Sequence, residues 1–217
     1  MNAWKKSEVL EVRNISEASF IVKFSSEGLE FKTGQHLVIG FPGTEKAREY
    51  SIYSGTGEEY LEILVREITE GKVSKNLHML LPVDMLKISG PYGYFLSDII
   101  PPDSKKLLFI ASGTGIAPFH SFARSYPDAA YTIIHGIRSV DEAYGREHYR
   151  KDKYITCTSR DQRGDFKGRL KDYLKQTVFE IDYLVFLCGN NEMIRDASLI
   201  LSEKDFRNSD IFTEVYF

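Results

Sequence analysis

From Ser7 to about Ser89, apolar and polar residues alternate with a period of two. The stretches VLEVRNI, ASFIVKFS, QHLVIGFP, YSIYS, YLEILVREI and DMLKISG are short, rich in β-branched and aromatic residues, and separated by turn-forming Gly, Pro and Asn. That spacing predicts a small antiparallel barrel. A helix interrupts it from Val73 to Leu81, opening after Gly71 and stopped by Pro82. After DIIPPDSKK, a linker of paired prolines and charges, the texture changes. LLFIAS, YTIIHGI, YITCTS, YLVFLCG and IFTEVY are nearly continuous apolar runs, as expected of strands buried on both faces, and the segments between them are long enough for helices. The chain is therefore expected to be a two-domain β plus α/β protein. An antiparallel β-barrel occupies 1–100, and an open parallel sheet with helices on both sides, Rossmann-like in build, occupies 103–217. In such a sheet, ligands bind beyond the carboxyl ends of the strands.

Composition narrows the function. With 42% hydrophobic and 13% aromatic residues, the 217-residue chain can build packed cores. The net charge is −3, with 14 acids against 11 bases in residues 1–100 and 17 against 17 in 101–217, so neither half has the positive excess that binding a nucleic acid requires. The first residues, MNAWKKSEVLEVRN, do not read as a signal peptide, and no apolar run approaches the ~18 residues of a membrane span. A cytoplasmic protein is expected. The two cysteines, Cys157 and Cys188, lack neighbours at metal-ligand or iron–sulfur spacing. No metal site is expected, and redox chemistry would need an organic cofactor.

Four motifs carry candidate chemistry. In FIASGTGIAPF, a buried strand runs into Gly113-Thr114-Gly115 and then a helix with Pro118 in its first turn. The glycines suit either a tight strand–helix turn or backbone approach to a pyrophosphate at a helix start. Pro118 stands where the dinucleotide fingerprint has its third glycine, and no acidic residue for a ribose is evident near HGIRS. In CTSRDQRGDFKGRL, Ser159, Arg160, Lys167 and Arg169 gather at one strand end, with Arg138 ending the neighbouring strand. This cluster reads as a solvated face or as a 2′-phosphate site, where charge-assisted hydrogen bonds contribute ~1.5–3 kcal/mol each. In REYSIYS, period two sends Arg48 and Tyr50 to one face of a strand and Ser51 and Tyr53 to the other. In EGKVSKNL, Gly71 and Ser74 mark a helix start, either as an anion site or as a plain N-cap at Ser74.

Taken in order, these segments resemble the ferredoxin–NADP reductase family, especially its bacterial-type members. The resemblance rests on Arg-x-Tyr-Ser at 48–51, Gly-Lys-Val-Ser at 71–74, GPYGYF at 90–95, SGTGIAPF at 112–119, Ser159-Arg160 with Gly168-Arg169, CGNNEM at 188–193 and a terminal EVYF. It implies an FAD-binding barrel, an NADP(H)-binding domain, and a flavoenzyme passing electrons between NADP(H) and ferredoxin or flavodoxin. By that analogy Arg48, Gly71, Lys72, Val73 and Ser74 meet the FAD pyrophosphate, Tyr50 stacks on the isoalloxazine, and Ser51 hydrogen-bonds near its reacting nitrogen. Gly113, Thr114 and Gly115 would hold the NADP pyrophosphate. Arg138, Ser159, Arg160 and Arg169 would hold the 2′-phosphate. Cys188 and Gly189 would line the nicotinamide pocket, with Glu214 as the carboxylate beside it and with Ser51 and Cys188 forming the catalytic set. The terminal Tyr216 and Phe217 would cover the flavin, and Phe217 sits where bacterial-type members pack an aromatic on the adenine of a folded FAD, which favours FAD over FMN. The same fold also hosts NAD(P)H-dependent reductases of free flavin, ferric complexes or quinones, and electron-transfer subunits of larger complexes.

Overall fold

The computed structural model describes residues 3–96, 106–179 and 182–216. The chain forms two compact units, one of Met1–Asp98 with His120–Ser125 and the other of Ile99–Phe119 with Tyr126–Phe217. Most of the DIIPPDSKK linker lies outside the described residues.

In the first unit the strands are β1 (Lys5–Asn14), β2 (Ser19–Ser25), β3 (His36–Gly40), β4 (Ala47–Ser51), β5 (Tyr60–Arg66) and β6 (Met85–Tyr92), all antiparallel, in the order β4-β3-β6-β1-β2-β5. Each comes from one of the alternating segments. The edges meet: Ile52 bridges to Ile63, and the Tyr53 N–H donates to the Glu62 carbonyl at 2.7 Å, closing the sheet. Alternation aims Val9, Val22, Phe24, Leu37, Ile39, Ile63, Leu86 and Ile88 into one core, which Val73 and Leu77 of the helix α1 (Lys72–His78) cap.

This helix is shorter than the expected 73–81. Met79 and Leu81 extend the apolar run, yet they are 70% and 68% exposed, and the restriction that Pro82 places on Leu81 ends the helix early. The chain then turns through Leu81–Asp84, where the Asp84 N–H donates to the Leu81 carbonyl and Val83 sits at φ 74°. A β-branched residue in the left-handed region is strained by roughly 1–2 kcal/mol. Val83 is also 74% exposed, so its side chain returns little packing. Glycine lifts that strain at an entropic cost of roughly 0.5–1 kcal/mol, so Val83→Gly should raise the thermal midpoint by roughly 2 °C. A lower midpoint in calorimetry would show that the valine side chain stabilises the turn.

In the second unit, β7 (Lys106–Ser112), β8 (Tyr131–Ile137), β9 (Tyr154–Thr158), β10 (Phe166–Lys167), β11 (Tyr183–Gly189) and β12 (Ile211–Val215) form a wholly parallel sheet in the order β10-β9-β8-β7-β11-β12. The antiparallel-barrel and parallel-sheet expectation is borne out. One face of this sheet packs Leu108, Ile110, Ile134, Val185 and Leu187 against α3 (Leu170–Gln176) and α4 (Asn191–Glu203), through Leu170, Leu174, Ile194, Ala197 and Leu201. A further helix, α2 (Ala117–Ser125), follows the 3-10 turn Gly113–Ile116.

The connection from β8 to β9 holds three 3-10 turns instead of the helix its length allows. Gly145 takes a left-handed conformation there, at φ 68°, and the buried Tyr144 and Tyr149 anchor the segment. Strand β10 has no counterpart in the sequence reading, because two residues are too few to show a period.

Candidate functional site

The order of the parallel sheet reverses at β7. The chain builds β8, β9 and β10 on one side of it and β11 and β12 on the other. At such a switch point the loops leave in opposite directions and open a crevice at the carboxyl ends. Ser112 to Gly115 and Gly189 lie there.

Geometry gives the glycines structural reasons of their own. Gly113 has φ 53° and Gly189 has φ 147°, both conformations favouring glycine. At Gly115 a Cβ would stand 2.4 Å from the Cys188 carbonyl oxygen, so the turn lies directly on the end of β11. Ser112 Oγ accepts hydrogen bonds from the Asn190 backbone N–H and side-chain amide, both at 3.2 Å, tying β7 to the start of α4.

Along the same edge, the Ser159 N–H donates to the Ile137 carbonyl at 3.0 Å and the Arg160 N–H to the Arg138 carbonyl at 2.9 Å, so two arginines extend side by side from β8 and β9. The Gly168 N–H donates to the Thr158 carbonyl at 2.9 Å, which brings Lys167 and Arg169 to the same end. The side chains of Arg138, Arg160, Lys167 and Arg169 are exposed and make no ion pair among the described residues. Arg163, which the sequence reading passed over, behaves differently. It binds Asp161 through Nε and Nη2 and Asp141 through Nη2. Asp161 also accepts from Ser139 Oγ and the Val140 N–H. Hydrogen bonds from Arg163 and Val140 hold the Asp161 carboxyl far below the ordinary range. Arg163 thus pairs with both Asp161 and Asp141 at this edge, while Arg138, Arg160, Lys167 and Arg169 have no ion-pair partner among the described residues.

Register pairs Cys188 with Glu214 on β11 and β12, and the Cys188 Sγ–H points to Glu214 Oε1 at 3.9 Å. Burial, reinforced by the Glu214 charge, pushes the thiol well above its usual range, so it stays protonated. The Tyr216 N–H donates to the Gly189 carbonyl at 2.8 Å, placing that tyrosine beside the same strand end. Phe217 lies outside the described residues.

In the first unit a groove of about 650 Å3 is lined by Phe41, Thr44, Glu45, Lys46, Ala47, Arg48, Lys72, Val73 and Asn76, so three cations and one carboxylate face it. Arg48 is exposed, with Nη1 donating to the Ala47 carbonyl, and neither Arg48 nor Lys72 has an acidic partner among the described residues. Tyr50 is half-buried against the barrel core, and that burial pushes its hydroxyl up to about 12. Ser51 is 5% exposed. The N-cap of α1 is Gly71 rather than Ser74. Ser74 Oγ instead donates to the Gly71 carbonyl at 3.1 Å and accepts from the Ile68 N–H at 3.2 Å, so its hydroxyl is spent on the helix start. Two unpaired cations across a groove fit a diphosphate, and the aromatic beside them fits a planar ring.

Two further side chains were missed from sequence. His135 on β8 is fully buried, with Nε2 2.8 Å from the Gly113 carbonyl and Nδ1 2.8 Å from the Tyr154 hydroxyl. Among the described residues no three His, Cys, Asp or Glu side chains are grouped to hold a metal, and no helix is long and apolar enough to cross a membrane.

Comparison with known proteins identifies the two domains. The oxidoreductase FAD-binding domain family matches residues 6–96, and the oxidoreductase NAD-binding domain family matches 109–198. The ferredoxin–NADP reductase of Pseudomonas aeruginosa is 34% identical, with 89% of this chain and 87% of that protein covered. The phenol hydroxylase P5 protein of Acinetobacter pittii is 27% identical over 96% of this chain, which spans 64% of its length. In fold, the chain superposes on a ferredoxin NADP+ reductase from Neisseria gonorrhoeae with a TM-score of 0.82, at 23% identity and 99% coverage of both chains. It superposes on a flavohemoglobin from Malassezia yamatoensis with a TM-score of 0.86, at 21% identity over 99% of this chain and 60% of that one. The chain belongs to the ferredoxin–NADP reductase family of FAD- and NAD(P)-binding oxidoreductases.

Proposed function

We propose that this protein carries electrons between NADP(H) and a small one-electron carrier protein, a ferredoxin or flavodoxin, with residues 1–100 holding FAD and 103–217 holding the nucleotide. Bound FAD supplies the exchange between two-electron and one-electron chemistry. The observation that carries this reading is the row of uncommitted cations, Arg138, Arg160 and Arg169 with Ser159, at the carboxyl edge beside the Gly113-Thr114-Gly115 turn. A 2′-phosphate gains charged hydrogen bonds there, and NADH has nothing to offer them. Relatives bearing the name ferredoxin or flavodoxin–NADP reductase match most of their own length, as for the protein of Buchnera aphidicola at 28% identity and 92% coverage.

In this reading Arg48 and the α1 start, Gly71 to Ser74, engage the FAD diphosphate through one guanidinium and the first backbone N–H groups. Tyr50 stacks on the flavin ring, Ser51 lies near its reacting edge, and Tyr216 with Phe217 covers it. Cys188 and Glu214, a protonated thiol beside a carboxylate, border the nicotinamide. Two unpaired cysteines accord with a reducing, cytoplasmic setting.

The test is purification followed by heat release and chromatography of the flavin, with turnover of NADPH against ferredoxins, flavodoxins, free FMN and ferric citrate. One FAD per chain and fastest turnover with a carrier protein are expected. Recovery of FMN alone removes the FAD assignment, and fastest turnover with free flavin or ferric citrate removes the carrier.

A further inference from the structure

We infer that His135, held by Tyr154, is the positioning residue of the nucleotide turn: its imidazole fixes the Gly113 carbonyl and thereby aims the Thr114 N–H at the bound dinucleotide. This rests on the nucleotide-site reading above.

The hydrogen-bond inventory leaves one arrangement. A carbonyl only accepts, so the 2.8 Å contact to Gly113 requires a proton on Nε2 of His135. Burial pushes this imidazole down to about 4, so at neutral pH it carries a single proton. Nδ1 is then an acceptor, and the Tyr154 O–H donates to it at 2.8 Å. Burial also raises the Tyr154 hydroxyl above its ordinary range, which keeps it a donor. The tautomer is thus set by Tyr154, and the direction of the Gly113 carbonyl is set by His135.

Peptide planarity transmits this outward. The Gly113 carbonyl and the Thr114 N–H belong to one trans peptide and point in opposite directions. A carbonyl drawn to a fully buried imidazole therefore turns its N–H the other way, toward the open end of the 3-10 turn. At the first turn of a helical segment such an N–H has no intrachain partner and is suited to an anion. Gly113 is needed for the same geometry, since its φ of 53° is what lets the carbonyl face inward. The contact runs from the middle of β8, whose His135 pairs in register with Ala111, to the turn that follows β7. It therefore anchors a loop to the rigid sheet.

The experiment compares His135→Leu, His135→Gln and Tyr154→Phe by titration with NADP+ and, separately, with 2′-AMP, which carries the 2′-phosphate but no pyrophosphate. Glutamine can both donate to Gly113 and accept from Tyr154, whereas leucine can do neither. Losing one oriented hydrogen bond should weaken NADP+ binding about three- to tenfold in His135→Leu, and less in Tyr154→Phe. His135→Gln should bind near wild type, and 2′-AMP affinity should be unchanged throughout. Equal weakening of NADP+ and 2′-AMP, or a glutamine variant as weak as the leucine one, would assign His135 to the core alone. Should His135→Leu not fold, an unaltered NADP+ affinity in Tyr154→Phe overturns the inference. Failure of the wild-type protein to bind NADP+ at all would instead remove the underlying nucleotide-site reading.

Discussion

Gly115→Ala should lower the apparent thermal midpoint by roughly 6 °C or more and weaken NADP+ binding at the same time. A Cβ at this position would lie 2.4 Å from the Cys188 carbonyl oxygen, 2.7 Å from its carbon and 2.8 Å from the Gly189 Cα. All three are backbone atoms of β11 or its end, so no side-chain rotation relieves the overlap. Either the turn lifts off the sheet or β11 shifts against β7, its parallel neighbour through Cys188 and Ala111. Overpacking of this kind costs about 3 kcal/mol. Gly43→Ala is the control: φ is 77°, but nothing lies within 4 Å of the added Cβ, so only backbone strain of about 1 kcal/mol is at stake. Thermal unfolding of both variants beside an NADP+ titration is the measurement. A Gly115→Ala midpoint close to wild type would mean that the turn tolerates a methyl group and that the glycine serves ligand approach alone.

The contrast between Gly115 and His135 shows what the sequence made legible. Alternation and β-branched content revealed each strand of the barrel, even though β2 and β5 are buried on both faces, and unbroken apolar runs revealed the parallel strands other than β10. The end of α1 was overrun because Met79 and Leu81 look helical, whereas only the fold shows that their side chains face solvent. Glycines and arginines after strands were visible as motifs, since topology places strand ends together. What the sequence hides is pairing at a distance. His135 in YTIIHGI looks like any core histidine, and its partner Tyr154 is 19 residues away across a loop of 3-10 turns. Arg163 shares the basic run of Arg160 and Arg169. Its commitment to Asp161 and Asp141 depends on how the loop after β9 folds beside Ser139. The second glycine of the turn was legible as a glycine, but its contact with Cys188 was not.

That division among the arginines gives the other large effect. Arg160→Ala should raise KM for NADPH by roughly ten- to a hundredfold while leaving NADH kinetics almost unaltered, the equivalent of one charged hydrogen bond at ~1.5–3 kcal/mol. Arg160 is exposed, its N–H is fixed to the Arg138 carbonyl, and its guanidinium meets no acid among the described residues. Removing it breaks nothing in the free protein, so stability should stay within about 0.5 kcal/mol of wild type. The loss then falls wholly on whatever anion the side chain serves. Arg163 supplies the opposite case. Its removal leaves the Asp161 and Asp141 carboxylates uncompensated at the same edge, so Arg163→Ala should also weaken NADPH binding, by repulsion instead of by a lost contact. Salt separates the two, because repulsion from the exposed Asp141 carboxylate fades as ionic strength rises, whereas a missing hydrogen bond is not restored. Steady-state kinetics with both nucleotides, at low and high salt, tests the pair. Equal losses with NADPH and NADH in Arg160→Ala would place this arginine outside the 2′-phosphate site and make it a surface residue.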